Sequence, residues 1–264
     1  MGEAAVVIVG AGITGLSCAH ELRGEAEVTL VDRVPVTGGV HGWDEPETRE
    51  LTAACGARML LGATAVRWDG GHLLVIGQDG AEQLPAAALV IATGTRPLGR
   101  AELGIAGPRP AGVVAATVAV HLAENGLLVG RRPLIVGGGD WAVRAAEELL
   151  NAGAESVTVA CPDGVRASGL VGDGRMTVLP GARPAAVGGR PRVELVELAG
   201  GERVECDALV LAHGVVPLRN VDGAVWDGPR TVYAQPLADP ASVEGARSAG
   251  SEAARAVRSL LENA

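Results

Sequence analysis

The chain has 264 residues, of which 48% are hydrophobic and 2% aromatic, and it carries a formal net charge of −9 at pH 7. Its 22 basic residues are all arginine, so chemistry that requires a lysine is excluded: a Schiff base, a pyridoxal anchor or a P-loop lysine. The acidic balance argues against nucleic acid or an anionic membrane as a partner.

Four cysteines are scattered along the chain, and none belongs to a C-x-x-C pair or to a spacing typical of zinc or iron–sulfur ligation: Cys18, Cys55, Cys161 and Cys206. A basic leader is not evident, and no apolar run reaches the roughly 20 residues that a membrane helix needs. These features predict a cytoplasmic protein with reduced thiols and no membrane association.

The first predicted strand is a β-branched run, Ala5–Val9, of the kind found in buried parallel strands. A helical pattern then continues to about Arg23, and a second strand, Val28–Val31, ends at Asp32. Three glycines with G-x-G-x-x-G spacing separate the first strand from its helix: Gly10, Gly12 and Gly15. In this context they predict a tight turn, close approach of a pyrophosphate and close helix packing, with the strand-end acid accepting hydrogen bonds from ribose.

The rest of the first half contains a loop, Val36–Trp43, and a helix with Pro46 in its first turn. Short alternating strands with turns at Asp69–Gly71 and Asp79–Gly80 predict a β-meander. The half closes on "ALVIATGTRP", Ala88–Pro97, which predicts a buried strand that runs into a polar glycine turn.

The second half repeats this order of elements. A strand at Pro133–Val136, a helix to about Asn151, a strand at Val157–Ala160, a meander over about Val178–Cys206 and "ALVLAHGVVP" at Ala208–Pro217 follow one another. The glycine turn has the same spacing, with an alanine in the third position: Gly137, Gly139 and Ala142. Duplication of a whole unit predicts an α/β protein with two Rossmann-like domains, two bound dinucleotides and hydride transfer between them.

The C-terminal stretch, Thr231–Val257, predicts a loop and then an alanine-rich helix with small residues on one face. Such a face suits close packing against either a cofactor or another helix. The sequence does not distinguish these two alternatives.

This order of elements resembles the flavoprotein disulfide reductase superfamily typified by thioredoxin reductase. Three stretches are also similar to FAD/NAD subunits of multi-component glycerol-3-phosphate, opine and hydroxyproline dehydrogenases: Gly38–Trp43, Gly104–Asp140 and Asp239–Gly250. The resemblance implies an FAD-binding domain at 1–103, an inserted NAD(P)-binding domain at 104–220, and a return to the FAD domain at 221–264.

The resemblance also implies which residues hold the cofactors. Those expected at FAD are Gly10, Gly12, Gly15, Asp32, Arg33, Gly39, Thr93, Gly94 and Asp239. Those expected at the nicotinamide nucleotide are Gly137, Gly139 and Ala142. The redox C-x-x-C and the separate dimerisation domain of the disulfide reductases are absent, and the segment after Gly39 is compressed.

A few side chains near the predicted cofactors carry chemistry. His41 follows the glycine pair and is the catalytic candidate, although a loop histidine bonded to backbone fits equally. Trp43 either stacks on the flavin or packs in the core. After Ala160 no basic residue occurs until Arg166, and Asp163 in this stretch favours NAD(H) over NADP(H). His213 occupies the position in the second half that Thr93 has in the first.

These features predict an FAD-dependent oxidoreductase that moves electrons between flavin and a nicotinamide nucleotide or a partner dehydrogenase subunit, without a redox disulfide. The alternative is a non-catalytic nucleotide-binding subunit of a larger complex that has lost flavin turnover. Because the two halves use nearly all of the chain, we expect a protein partner or self-association, and the substrate stays open.

Overall fold

A computed structural model describes residues 4–164, 174–218, 230–236 and 242–263. The chain divides into two compact units: unit 1, which is Met1–Thr95 with Pro217–Ala264, and unit 2, which is Arg96–Val216. The boundaries expected from the sequence, 103/104 and 220/221, lie a few residues beyond these. Unit 2 is therefore an insertion within unit 1.

The elements follow in chain order. The first part of the chain contains β1 (Ala4–Val9), α1 (Ile13–Glu21), β2 (Ala26–Asp32), α2 (Pro46–Ala54), β3 (Arg58–Leu61), β4 (Thr64–Trp68), β5 (His72–Gly77), β6 (Gly80–Pro85), β7 (Ala88–Ile91) and β8 (Thr95–Pro97). The second contains β9 (Val113–Ala115), α3 (Ala116–Glu124), β10 (Pro133–Val136), α4 (Asp140–Asn151), β11 (Val157–Cys161), β12 (Met176–Pro180), β13 (Pro184–Gly188), β14 (Leu195–Leu198), β15 (Arg203–Glu205), β16 (Ala208–Leu211) and β17 (Val215–Pro217). The last contains β18 (Thr231–Tyr233) and α5 (Val243–Glu262).

Unit 1 is built on a parallel sheet with the strand order β18-β7-β1-β2-β3. Both faces of β1 are buried, which explains its continuous apolar run. Val6 and Ile8 face a cluster that includes residues of α1 and α5, whereas Val7 and Val9 face the antiparallel sheet β4-β5-β6. The helices therefore cover one face of the parallel sheet and the meander covers the other.

The small residues of α5 pack against another helix rather than being reserved for a cofactor. A Cβ on Gly250 would lie 2.5 Å from the Thr14 carbonyl oxygen and 2.8 Å from the Ser17 Cβ, both on α1. Ala246, Ala253 and other small residues of α5 are buried in the same cluster. The two helices approach so closely that only glycine fits at their crossing point.

Unit 2 repeats this plan with the strand order β12-β11-β10-β16-β9, again parallel, and the antiparallel sheet β13-β14-β15. The meander begins later than the sequence suggested, because Met176–Pro180 pairs in parallel with β11 and belongs to the main sheet. Thr177 is exposed and lies between two less exposed neighbours. Edge strands and meander strands share this alternation, so the pattern does not distinguish them.

The two units differ in where the chain supplies the fifth strand of the sheet. In unit 2 the edge strand β9 and the helix α3 precede β10, whereas in unit 1 the corresponding β18 and α5 come after the insertion. The two parallel sheets have equivalent strand positions and differ by a circular permutation. The mixed α/β fold with two Rossmann-like units is as predicted. No helix within the described ranges is long and apolar enough to cross a membrane.

Candidate functional site

At two of the three positions of the glycine turn after β1, the packing within unit 1 itself requires a glycine. Gly10 has a φ of +111°, and a Cβ there would lie 2.2 Å from the Ala92 carbonyl oxygen at the end of β7. A Cβ on Gly15 would lie 1.9 Å from the Gly10 carbonyl oxygen. The Gly10 N–H also donates to the Val31 carbonyl at 2.8 Å, which fixes the turn against β2.

Gly12 differs, because no close contact among the described residues explains why this position lacks a side chain. The nearest described atoms to a Cβ at this position are the Gly38 oxygen and the Gly39 Cα, both at 3.8 Å, which is ordinary contact. Gly12 has a φ of −75° and precedes α1 without a side-chain cap. The small residue keeps the N–H groups of the first turn of α1 accessible, which suits an approaching phosphate.

Asp32 ties the end of β2 to this turn. Its Oδ2 accepts a hydrogen bond from the Ala11 N–H at 2.7 Å, and its Oδ1 accepts one from the Val34 N–H at 2.8 Å. Each carboxylate oxygen has further acceptor capacity, so the side chain can also receive hydrogen bonds from ribose hydroxyls. Arg33, the next residue, is exposed.

The loop with the glycine pair lies directly against the first glycine turn. The Gly38 N–H donates to the Ala11 carbonyl at 2.8 Å, and a Cβ on Gly39 would lie 3.3 Å from the Gly12 Cα. A short 3-10 helix, Gly39–His41, follows and holds His41 half-buried beside the turn. The structure thus brings Gly39 to Gly12, two residues that are far apart in the sequence.

The turn after β7 lies at the same edge of the sheet. The Thr93 hydroxyl donates to the Leu218 carbonyl, and the Leu218 N–H donates to the Gly94 carbonyl at 3.0 Å. The two residues therefore bind the segment that returns from the insertion. Asp239 lies outside the described residues.

The order of strands makes this edge of the sheet a topological switch point. From β1 the chain crosses to β2 on one side, and the strand on the other side of β1 is β7. Ligands of open parallel sheets bind outside the carboxyl ends of the strands at such a switch point. Gly12, the first turn of α1 and Asp32 therefore form a site whose donors and acceptor fit a dinucleotide.

The second glycine turn shares this geometry in part. Gly137 has a φ of +142°, a Cβ there would lie 2.8 Å from the Ala212 oxygen, and its N–H donates to the Ala160 carbonyl at 2.8 Å. Gly139 precedes α4 without a side-chain cap, and no described atom lies within 4 Å of a Cβ built on it. Ala142 replaces the third glycine and is fully buried.

The strand end is where the two units diverge. Val9 pairs with Val31 in unit 1 and Val136 pairs with Ala160 in unit 2, so Cys161 occupies the position of Asp32. Its thiol is buried and donates to the Gly137 carbonyl at 3.4 Å. Unit 2 therefore has a thiol where unit 1 has the carboxylate expected to bind ribose.

A carboxylate lies two residues after Cys161 in the chain, at Asp163. Its Oδ1 is 2.9 Å from the Arg183 Nη2, and its Oδ2 is 3.5 Å from the His213 Nε2. The sequence did not point to Arg183, because that residue is 20 positions from Asp163 and only the pairing of β12 beside β11 brings it close. Arg166 lies outside the described residues.

The first turn of α4 contains a buried donor. Trp141 is 4% exposed, and its Nε1 has no hydrogen-bond partner within the described part of the chain. The Arg144 guanidinium lies 5.7 Å from the centre of its ring. Sequence reasoning missed this residue, because a tryptophan on a helix is indistinguishable from an ordinary core residue in one sequence.

All four cysteines are buried and free. Burial raises the pKa of the Cys18 and Cys206 thiols to about 12, and it also raises the pKa of the Cys161 thiol. Groups of three or more histidine, cysteine, aspartate or glutamate side chains that could hold a metal ion are absent from the residues described.

Comparison with known families decides the class of protein. The family model described as pyridine nucleotide-disulphide oxidoreductase matches residues 4–225. The chain belongs to this family. Proteins of the family bind FAD and pyridine nucleotides.

Individual relatives are more distant. The chain is 26% identical over 288 residues to the sarcosine oxidase subunit alpha of Rhizobium meliloti (strain 1021), covering 94% of this chain and only 28% of that subunit. A NAD-dependent persulfide reductase from A. fulgidus has a TM-score of 0.69 at 20% identity, over 96% of this chain and 59% of that one. A thioredoxin reductase from T. acidophilum has a TM-score of 0.65 at 19% identity, over 97% and 99%. These two structures establish the shared fold alone.

The state of the thiols gives a first testable expectation. A raised pKa means that a thiol stays protonated until the pH rises towards that value, so at pH 8 the reactive thiolate is scarce as well as buried. We expect the native protein to react with Ellman's reagent at least about 100-fold more slowly than the same protein unfolded in guanidinium chloride, where all four thiols should react. Rapid stoichiometric labelling of any thiol in the native protein would contradict this.

Proposed function

We propose that the chain is an FAD-dependent oxidoreductase that moves electrons between a flavin bound at Gly10, Gly12 and Gly15 and a nicotinamide nucleotide bound at Gly137 and Gly139. A partner dehydrogenase subunit is the alternative electron donor or acceptor. The observation that carries the proposal is that no close contact among the described residues requires Gly12 to lack a side chain, and that Gly12 lies next to the strand-end carboxylate of Asp32.

In unit 1 the chain's own groups bind and orient the dinucleotide. The first turn of α1 presents N–H groups to the pyrophosphate, Asp32 accepts from ribose, and Gly39 closes against Gly12. The bound flavin supplies the redox chemistry, because its ring carries the reaction. His41, in the turn beside Gly39, is the proposed side chain for holding a proton near the ring.

In unit 2 we propose NAD(H) in preference to NADP(H). Asp163 provides a carboxylate just past the end of β11, a position from which it can accept from ribose hydroxyls and repel a 2′-phosphate. Arg183 is already paired with Asp163 at 2.9 Å. This arrangement supports a nucleotide without the additional phosphate.

Electron transfer by this chain is proposed to involve no disulfide. The four thiols are buried, and for Cys18, Cys161 and Cys206 the pKa is raised, which disfavours the thiolate that an exchange reaction requires. In this respect the chain would differ from the disulfide reductases that share its fold.

A protein partner or self-association is the further part of the proposal. Four of the exposed large hydrophobic side chains belong to the loop beside the first glycine turn: Val34 at 45% exposed, Val36 at 41%, Val40 at 52% and Trp43 at 60%. An apolar loop of this kind is typical of a docking surface. The relative from Rhizobium meliloti is itself a subunit, and the chain spans 28% of its length.

A second function is favoured by one observation, the thiol of Cys161 in the position of the ribose-binding acid. A weakened second site would suit a nucleotide-binding subunit that has lost flavin turnover. The absorption spectrum of the purified protein separates the alternatives, since the oxidoreductase is expected to be yellow and to be bleached by NADH.

Replacing Gly12 with valine tests the flavin site. A branched side chain would fill the space in front of α1, and its Cβ would lie at ordinary contact distance, 3.8 Å, from the nearest described atoms. The FAD dissociation constant should therefore rise at least about 100-fold while the apo protein still folds. Fluorescence titration with FAD and thermal unfolding of the apo protein measure the two effects. Flavin retained at the wild-type stoichiometry would show the assignment to be wrong.

Two glycine variants serve as controls for this experiment. Gly71→Ala changes a glycine whose added Cβ would meet only the Asp69 carboxylate at 3.9 Å, and it should leave folding and FAD binding unchanged. Gly15→Ala places a Cβ 1.9 Å from a backbone oxygen and should destabilise the apo protein itself. The contrast separates loss of binding from loss of fold.

The nucleotide preference is tested by stopped-flow reduction of the bound flavin. NADH should reduce the flavin faster than NADPH, and Asp163→Asn should lower the ratio of the two rates by about tenfold, because the charge that repels the 2′-phosphate is removed and Arg183 is released. Asp79→Asn, in an exposed turn of unit 1, is the matched control. Faster reduction of the wild type by NADPH would overturn the preference.

The partner proposal is tested by light scattering and by assays with artificial acceptors. The isolated chain should show only slow diaphorase-like activity and should self-associate, and Trp43→Ser should reduce that association. Leu127→Ser, which changes a side chain that is 57% exposed in unit 2, should not. A monomer that rapidly turns over a small substrate would refute the proposal.

A further inference from the structure

The segment after β18 runs along β7 to the edge of the sheet that bears the first glycine turn. Tyr233 pairs with Ile91, and the Ala234 N–H donates to the Ile91 carbonyl at 2.9 Å. Ile91 in turn pairs with Val9, the residue before Gly10. Gln235, the next residue along the segment, is therefore at the carboxyl edge of the sheet, beside the turn that follows β7.

The side-chain amide nitrogen of Gln235 is buried, although the residue as a whole is only partly buried. Its Nε2 is inaccessible to solvent and has no hydrogen-bond partner in the described structure. Two N–H donors buried in this way carry the full cost of desolvation, and native proteins seldom retain such a group without a reason. A ligand oxygen at the edge of the sheet would satisfy them.

Two side chains at this edge, those of Asp32 and Thr93, have no donor left for a ligand. Asp32 is acceptor-only when ionised, and both of its oxygens already receive backbone N–H groups. The Thr93 hydroxyl is engaged, because it donates to the Leu218 carbonyl. A dinucleotide has many acceptor oxygens, on phosphates, hydroxyls and ring carbonyls, and a neutral amide can donate to any of these without a proton transfer.

We propose that the Gln235 amide donates a hydrogen bond to an oxygen of the dinucleotide bound at Gly10, Gly12 and Gly15, and so acts as a cofactor-positioning residue. This inference rests on the proposed function of the first site. It gives the segment that follows the insertion a direct role in cofactor binding. It also explains why a glutamine amide is retained in a buried position at this edge.

Gln235→Leu tests the proposal, because it has opposite effects on the empty and the loaded protein. Removing a buried unpartnered amide should leave the melting temperature of the apo protein unchanged or raise it. The same variant should bind FAD about tenfold to a hundredfold more weakly in a flavin fluorescence titration, since one hydrogen bond to the ligand is lost. A residue that serves packing alone would show the reverse pattern, a lower melting temperature with unchanged affinity.

A matched control and a second variant complete the test. Gln83→Leu makes the same chemical change at an exposed position of β6 and should alter neither quantity. Gln235→Glu keeps the shape but replaces the donor with a carboxylate, and it should weaken FAD binding at least as much as the leucine variant. If Gln235→Leu fails to fold, Gln235→Glu decides the outcome.

The outcomes separate this proposal from the function on which it rests. A wild-type protein that binds no FAD overturns both. A wild-type protein that binds FAD, with Gln235→Leu or Gln235→Glu binding it equally well, overturns the role of Gln235 and leaves the flavin site standing. Weaker binding by the folded variants, with Gln83→Leu unchanged, supports the proposal.

Discussion

The close approach of the first glycine turn to the end of β7 is the constraint on which unit 1 depends. A Cβ on Gly10 would lie 2.2 Å from the Ala92 oxygen, and one on Gly15 would lie 1.9 Å from the Gly10 oxygen. Strand, turn and helix are therefore locked together by backbone contacts that no side chain could enter. This rigidity fixes the first turn of α1 and the carboxylate of Asp32 with respect to each other, which a site for a charged dinucleotide requires.

Unit 2 retains the constraint and changes the chemistry. Gly137 makes the same approach to Ala212, so the turn and the start of α4 are preserved. The strand end carries the buried thiol of Cys161 in place of the acid, and Asp163, two residues further along the chain, lies within ion-pair distance of Arg183 and His213. The glycines thus maintain the same backbone geometry in both units, whereas the side chains at and past the strand end differ between them.

The permuted order of elements has a physical consequence for unit 1. Its edge strand β18 and its last helix α5 follow the whole of unit 2 in the sequence. The crossing of α5 on α1 at Gly250, where a Cβ would lie 2.5 Å from Thr14, completes the helical layer over the sheet. The parallel sheet of unit 1 is consequently assembled from segments more than 200 residues apart.

The amino-acid sequence by itself determined the local units: the β-branched strands, the two glycine turns, Asp32 at a strand end and the duplicated plan, because each depends on residues close together in the chain. It left open what the small face of α5 contacts, and it did not reveal β9 as an edge strand. Only the tertiary structure decided that Cys161 matches Asp32, that Arg183 reaches Asp163 and that the Gln235 amide nitrogen is buried with no partner in the described part of the chain. Those facts depend on strand register and side-chain burial, which arise from contacts between distant segments that spacing along the chain does not encode.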